Sequence, residues 1–355
     1  MYKFIDLFAG IGGFRTGFET AGFKCVFTSE IDPQCKEVYA TNFGEKPFGD
    51  ITKIDPSAIP DFDVLLAGFP CQPFSISGKK MGFEDTRGTL FFDICRIIEE
   101  KQPRVVVLEN VKHLIHHDKN KTFKTILKAL GALGYNVTHK ILNAKDFGLP
   151  QNRERIFIIA TKKHYFDFGK LKKNRKCNLR DFLDQGGDFE FIDKSEYTLI
   201  DAPKDQDSGL IFVGYRNKNI WKKGVRENTE HLSRVHRQPN RIYSVDGTHP
   251  TIPSQETAGR FFIYIPELDA VRKLTINECY RIMGFGADFI KHPNAAAQYK
   301  QIGNSVAIPV VRAIADSIKE QKLLSDEPTK LIEGDTEIKK IHKQKWNELV
   351  ATYLN

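Results

Sequence analysis

The sequence predicts an α/β fold: a doubly wound, mostly parallel sheet with helices on both faces and a smaller region inserted late in the chain. Three observations carry that prediction. Short apolar runs with little polar alternation recur through residues 2–161, as strands covered on both faces require. Amphipathic stretches of helical period lie between them and set a βαβα rhythm. The rhythm stops near residue 161 and returns near residue 272.

In chain order, the strands read as "YKFIDLF", "CVFTSE", "FDVLLAGF", "RVVVLEN" and "RIFIIAT", and the helices as 14–21, 33–42, 89–100 and 121–133. A ligand crevice is then expected at the carboxyl ends of the strands. Beyond residue 161, Lys-rich "KKNRKC", the glycine pair at 186–187 and the acidic, proline-containing 201–207 read as loops and short strands. "LTINECYRIMGF" and "VAIPVVRAIADSIKEQ" read as helices again. The expected division is 1–161, an insertion at 162–271, a return at 272–321, and a polar tail at 322–355. The tail is either a packing helix or a partner surface. No internal repeat is present.

The 355 residues are 41% hydrophobic and 28% charged, ordinary for a globular protein. No apolar run reaches membrane-spanning length, and "MYKFIDLFAG" lacks the features of a signal peptide, so a cytoplasmic protein is expected. The six cysteines (25, 35, 71, 95, 177, 279) form no CxxC pair and no zinc-site spacing, so no metal is expected. The net charge of +8 is uneven. Residues 1–160 are close to balanced, whereas 211–250 hold eight basic residues against three acidic ones. Phe212, Tyr215, Trp221 and Tyr243 interleave with them. That stretch is a candidate nucleic-acid surface, or a solvated basic face.

"FIDLFAGIGGF" reads as strand, glycine-rich turn and helix start. Gly10, Gly12 and Gly13 allow close backbone approach, while Arg15 at the third fingerprint position disfavours a pyrophosphate. A ligand with an amino-acid end and a nucleoside end suits the turn better. Glu30 ends the next strand, where an acid accepts from ribose hydroxyls, and Asp50 in "GDI" can take an adenine amino proton. In "GFPCQPFS", Pro70 and Pro73 stiffen the backbone around Cys71 at a strand end. A thiolate there is a nucleophile. Glu109 ends another strand as a candidate acid. Arg153 and Arg155, two apart and on one face if extended, offer one guanidinium to a carbonyl or phosphate.

Taken together, "DLFAGIGGF", "GFPCQPFSISGK", "RGTLFFDI", "ENV", "QNRERIF", "RIMGF" and "QIGNSVAIPV" occur in an order that resembles the DNA (cytosine-5)-methyltransferases of bacterial restriction–modification systems, over nearly all of residues 3–315. The resemblance implies a Rossmann-like fold for S-adenosylmethionine-dependent methyl transfer, with an inserted target-recognition domain. It implies that Cys71 attacks C6 of a cytosine flipped out of the duplex, that Glu109 holds and protonates the ring at N3, and that Arg155, with Arg153 beside it, assists. S-adenosylmethionine gives its methyl group to C5, leaving S-adenosylhomocysteine. Implied cofactor residues are Phe8, Gly10, Ile11, Gly12, Gly13, Phe14, Glu30, Ile31, Asp50, Ile51, Pro70, Leu90, Asn304 and Ser305. Ser75, Ser77, Lys79 and Arg87 are implied to touch the DNA strand, with Thr251-Ile252 near the flipped nucleotide. Arg216, Arg226, Arg234, Arg237, Gln238, Arg241 and Gln255 are candidate readers or phosphate contacts.

The chain departs from the family at Ile31, where an aromatic often stands, and the tail matches no family motif. The expected partner is double-stranded DNA, bound by a monomer. The enzyme either belongs to a restriction–modification pair, with a cognate restriction endonuclease for the same site, or is an orphan modification enzyme without one. Two other readings stand beside this one. A tRNA cytosine-5 methyltransferase on the same scaffold is opposed by the long insert, since RNA-acting relatives usually lack it. An inactive DNA-binding homologue is opposed by the presence of Cys71, Glu109 and Arg155 together.

Overall fold

A computed structural model describes residues 1–70, 90–174, 176–217, 226–254 and 262–325. The chain divides into two compact units. The first holds Met1–Leu142, Glu154–Lys172 and the chain from Val311 onward; the second holds Asn143–Arg153 and Lys173–Val310. The sequence-based boundaries at 161/162, 271/272 and 321/322 concern the role of each segment and remain a proposal beside this division.

The first unit is built on a six-stranded sheet. Its strands are β1 (Lys3–Leu7), β2 (Lys24–Ser29), β3 (Val64–Gly68), β4 (Val105–Val111), β5 (Asn136–Asn143) and β7 (Glu154–Thr161), in the order β2-β1-β3-β4-β7-β5. The pairings β1–β2, β1–β3 and β3–β4 are parallel and β4–β7 is antiparallel. Val64–Ala67 and Val105–Leu108 are wholly buried, which is why these runs show no polar alternation. Helices α3 (Leu90–Lys101) and α4 (Lys121–Ala132) cover one face. Phe91, Ile94, Cys95, Ile98, Ile126 and Leu130 pack there against Ile5, Leu7, Leu65, Leu108, Ile156 and Ile158. On the other face Phe4 meets Phe18 of α1 (Gly13–Thr20) with ring centroids 5.5 Å apart. Helix α2 (Pro33–Phe43) has its limits written locally. The Asp32 carboxylate accepts from the Gln34 and Cys35 N–H groups, Pro33 occupies the first turn, and Gly44 closes the helix at φ 70°. The doubly wound, mostly parallel sheet expected from the sequence is therefore present.

The second unit contains a five-stranded sheet, ordered β13-β12-β10-β9-β8. It is formed by β8 (Tyr197–Asp205), β9 (Ile211–Arg216), β10 (Arg241–Ser244), β12 (Phe262–Ile265) and β13 (Ala270–Lys273). β6 (Gln151–Asn152) and β11 (His249–Pro250) pair as a separate ribbon. Tyr197, Val213, Ile242, Phe262 and Val271 form a small core on the larger sheet. Helices α5 (Ile276–Arg281) and α6 (Ala295–Asn304) follow, and α7 (Ile308–Glu320) carries the chain back to the first unit. Buried Arg272 on β13 donates bidentately to buried Glu278 on α5, at 2.9 and 2.7 Å. The same carboxylate accepts the N–H of Thr275, so strand, cap and helix are fixed as one piece.

Candidate active site

The glycine turn follows β1 and starts α1. Phe8 sits at φ 58°, a left-handed backbone that a phenylalanine adopts at a cost of about 1–3 kcal/mol, the kind of strain that gathers at ligand sites. Gly12 is the N-cap of α1 at φ 86°, and a Cβ there would come within 2.3 Å of the Phe43 ring. What Gly12 admits closely is therefore the chain's own aromatic. At Gly10 a Cβ would meet nothing within 4 Å, so the open side of the turn lies there. Ile11, Gly13 and Phe14 are buried beneath it.

Glu30, directly after β2, closes onto this turn. Its Oε2 accepts the Gly10 N–H at 2.7 Å, and Oε1 accepts the Ile31 and Asp32 N–H groups, each at 2.8 Å. The acid is thus held rigidly beside the open glycine by three backbone donors. Asp50 caps a short turn through Oδ1, which accepts the Thr52 N–H and hydroxyl. Ile51 is buried behind it. One residue of this neighbourhood was missed from sequence. Asp6, wholly buried on β1, has its carboxyl pushed well above the usual carboxylate range, first by burial and then by the charge of Glu30. A charged residue inside an apolar strand run was the signal for it.

Parallel pairing places Gly68 of β3 opposite Glu109 of β4. A Cβ on Gly68 would lie 3.6 Å from Glu109 Oε2 and 3.5 Å from the Phe14 ring, so the glutamate carboxylate and the start of α1 meet at this glycine. Because β7 runs antiparallel to β4, its first residues reach the carboxyl end of β4, and Arg155 pairs with Val111 in register. The Arg155 Nε then reaches diagonally back to Glu109 Oε1 at 3.2 Å, with both side chains nearly buried. Asn110, also missed from sequence, donates through Nδ2 to the Phe69 carbonyl at 2.8 Å. That bond ties the end of β4 to the segment leading through exposed Pro70 to position 71. Leu90 is the half-buried first residue of α3. Cys71, Ser75, Ser77, Lys79, Arg87 and Gln255 lie outside the described residues.

The expectation that Arg153 and Arg155 share one face needs correcting. Residue 153 falls between β6 and β7, and the two arginines belong to different units. Buried Arg153 donates to the carbonyls of Ile252 (3.2 Å), Gly303 (2.9 Å) and Ser305 (2.6 Å). It joins the "QNRER", "PTI" and "QIGNS" segments within the second unit. Gly303 allows this closeness, since a Cβ there would stand 2.2 Å from the Pro253 carbonyl oxygen. Arg153 is therefore a framework residue, with Asn304 exposed at the end of α6 and Ser305 half-buried after it. Arg153→Ala leaves three carbonyls unsatisfied and lowers the unfolding free energy by about 3 kcal/mol or more. Urea denaturation checks this. Wild-type stability with a loss of turnover would restore the catalytic reading.

Among the candidate DNA contacts, Arg226, Arg234 and Arg237 are exposed. Arg241 donates through Nε to the His236 carbonyl at 2.9 Å. Arg216 departs from the expectation: its guanidinium pairs with Glu196 at 2.7 Å and lies over the Phe262 ring, leaving its side chain 14% exposed. It serves the five-stranded sheet. Thr251 donates to the Asn152 carbonyl at 2.7 Å and lines a concavity with Gln238, Arg241, Tyr243, Pro250 and Pro253.

The profile of the C-5 cytosine-specific DNA methylases matches residues 2–320. The chain belongs to the C-5 cytosine-specific DNA methylase family. Relatives include the type II methyltransferase M.NgoBI of Neisseria gonorrhoeae, 44% identical over 313 residues (88% of this chain, 92% of that protein). M.HaeII of Haemophilus aegyptius is 43% identical over 320 residues (89% and 92%). The fold is shared with the S. pombe Dnmt2 methyltransferase at a TM-score of 0.65 and 18% identity, covering 90% of this chain and 99% of that one. The methylase is thus a DNA (cytosine-5)-methyltransferase on the S-adenosylmethionine-dependent scaffold, and membership implies S-adenosylmethionine as methyl donor and DNA as substrate. Among the described residues no helix is long and apolar enough to cross a membrane, and no cluster of His, Cys, Asp and Glu could hold a metal ion.

Proposed function

We propose that this methylase modifies one cytosine within a short specific duplex site, with Cys71 as nucleophile, Glu109 as acid and Arg155 as its partner. The observation that carries the assignment is the Glu109–Arg155 pair at the carboxyl edge of the sheet, next to the strand that leads to Cys71. A flipped-out cytosine is needed because its C6 face is covered in the stack. The Cys71 thiolate adds to C6, and the C5–C6 π electrons move into the ring as Glu109 delivers its proton to N3. This makes C5 enamine-like and nucleophilic. Arg155 keeps the carboxyl oriented. When bound, S-adenosylmethionine supplies an electrophilic methyl group to that carbon. Once C5 is methylated, its proton leaves to a base, the C5–C6 double bond re-forms as the C6–S bond breaks and the thiolate is released, and N3 returns its proton to Glu109.

The pocket for the donor fits the turn: Gly10 is open, Phe8 is strained, and Glu30 and Asp50 stand at its rim to take ribose hydroxyls and the adenine amino group. Phe14, Ile11, Gly12, Gly13, Ile51, Pro70, Leu90, Asn304 and Ser305 complete the proposed set. Exposed Arg226, Arg234 and Arg237 are proposed as phosphate or base contacts. The reading extends to a cytoplasmic enzyme that acts as a monomer, either paired with a cognate endonuclease that cuts the unmodified site or as an orphan modification enzyme. Its test is methylation of a plasmid by the purified protein with S-adenosylmethionine, followed by bisulfite sequencing. Unconverted cytosines sharing one short motif are expected. Complete conversion with donor binding intact would overturn the reading and direct attention to RNA.

A further inference from the structure

We infer that Phe48 supplies the aromatic face on which the adenine ring of the methyl donor stacks. The inference rests on the donor pocket proposed above at Glu30 and Asp50. Carboxylates can take the polar edges of an adenosine, but the flat faces of the purine need apolar cover. Two large apolar side chains stand exposed beside those acids: Ile31 at 69% and Phe48 at 58%. A scattered exposed aliphatic is ordinary on a protein surface. An exposed phenylalanine held in one place is less so, and Phe48 is held.

Its N–H donates to the Thr28 carbonyl at 2.9 Å, and its carbonyl accepts the Glu30 N–H at 3.0 Å, so residue 48 bridges to Ser29 at the end of β2. Its ring stacks on buried Phe27, with centroids 4.8 Å apart and planes 17° from parallel. One face of the Phe48 ring is therefore occupied by the core while the side chain stays largely open to solvent. A ring fixed in advance loses little freedom when a ligand stacks on it. Position adds to this. Phe48 is hydrogen-bonded to the residue assigned to the ribose and lies two residues before the one assigned to the adenine amino group. Between them, a Cβ on Gly49 would meet nothing within 4 Å. Ile31, which follows Glu30, contributes aliphatic bulk and has no π face, which leaves Phe48 as the exposed aromatic of the described rim.

The test is calorimetric titration of S-adenosylhomocysteine into wild-type protein and into Phe48→Ala, Phe48→Leu, Phe48→Tyr and Glu30→Ala variants. Base stacking on an aromatic is worth about 1–3 kcal/mol per base, so Phe48→Ala weakens binding by about fivefold to 150-fold. Phe48→Tyr, which keeps the ring, binds as wild type. Phe48→Leu keeps bulk against Phe27 and guards against a folding defect in the alanine variant; it binds more weakly than wild type. Wild-type affinity in both the Ala and Leu variants, with Glu30→Ala weakened, would overturn the role of Phe48 and leave the pocket standing. Wild-type affinity in Glu30→Ala would overturn the pocket itself.

Discussion

Cys71→Ser abolishes methyl transfer while donor binding persists. A serine hydroxyl is far less ionised and less polarisable than a thiolate, so addition to C6 fails, and without that adduct C5 is too poor a nucleophile to take the methyl group. A second readout separates chemistry from binding. In DNA carrying 5-fluorocytosine at the target, C5 has no proton to lose after methylation, so the C6–S bond cannot break by elimination and the complex stays covalent. Wild-type protein forms a denaturation-resistant complex with that DNA in the presence of S-adenosylmethionine, and Cys71→Ser does not. A serine variant that still transfers methyl groups at the wild-type rate would end the covalent mechanism.

Glu109→Gln is expected to lower kcat by about 10²–10⁴-fold, the usual contribution of a positioned acid. The amide keeps the size of the side chain and can still contact the base, but it has no proton of suitable acidity for N3. Donor affinity should stay within a small factor of wild type, because Glu109 is not among the residues proposed to hold the donor. Arg155 sharpens the test: with Glu109 neutralised, its nearly buried guanidinium loses its 3.2 Å carboxylate partner. The variant is therefore also less stable, since removing one member of a buried pair leaves the other charge uncompensated. Single-turnover kinetics at saturating donor isolate the chemical step. A rate equal to wild type there would remove Glu109 from the acid role.

The strands that carry the proposed site could be read in advance because both of their faces are covered. β1, β2, β3, β4 and β7 each appear as continuous apolar runs, and all five were expected. β5 was not expected, since "NVTHKILN" is an edge strand with exposed His139, Lys140 and Ile141 and shows no buried run. Glu30 and Glu109 could be singled out as candidates because a carboxylate at the end of an apolar run asks for a reason, and Asp50, which caps a short turn, because it joins them in a nucleoside-binding pattern. Arg153 was misread. Its neighbours in sequence suggested one extended face, whereas its hydrogen bonds go to carbonyls 99, 150 and 152 residues away, and no local pattern encodes such partners. Phe48 escaped notice for the opposite reason: nothing in "EKPFGD" distinguishes a rigid exposed phenylalanine from a core one.

The peptide between β5 and β7 bears on how these enzymes could be recombined. Residues Asn143–Arg153 leave the large sheet, pair through β6 with β11, and bond through Gln151 to Ile282 before the chain resumes its sheet. The second unit, which holds most of the stretch proposed to recognise the target, is therefore written in two separate stretches of the gene. A chimera that grafts only residues 173–310 from a relative would import strand and helix without their matching eleven-residue clasp. Exchanges of sequence specificity should succeed when both stretches travel together, and should yield insoluble or misassembled hybrids when the shorter one is left behind.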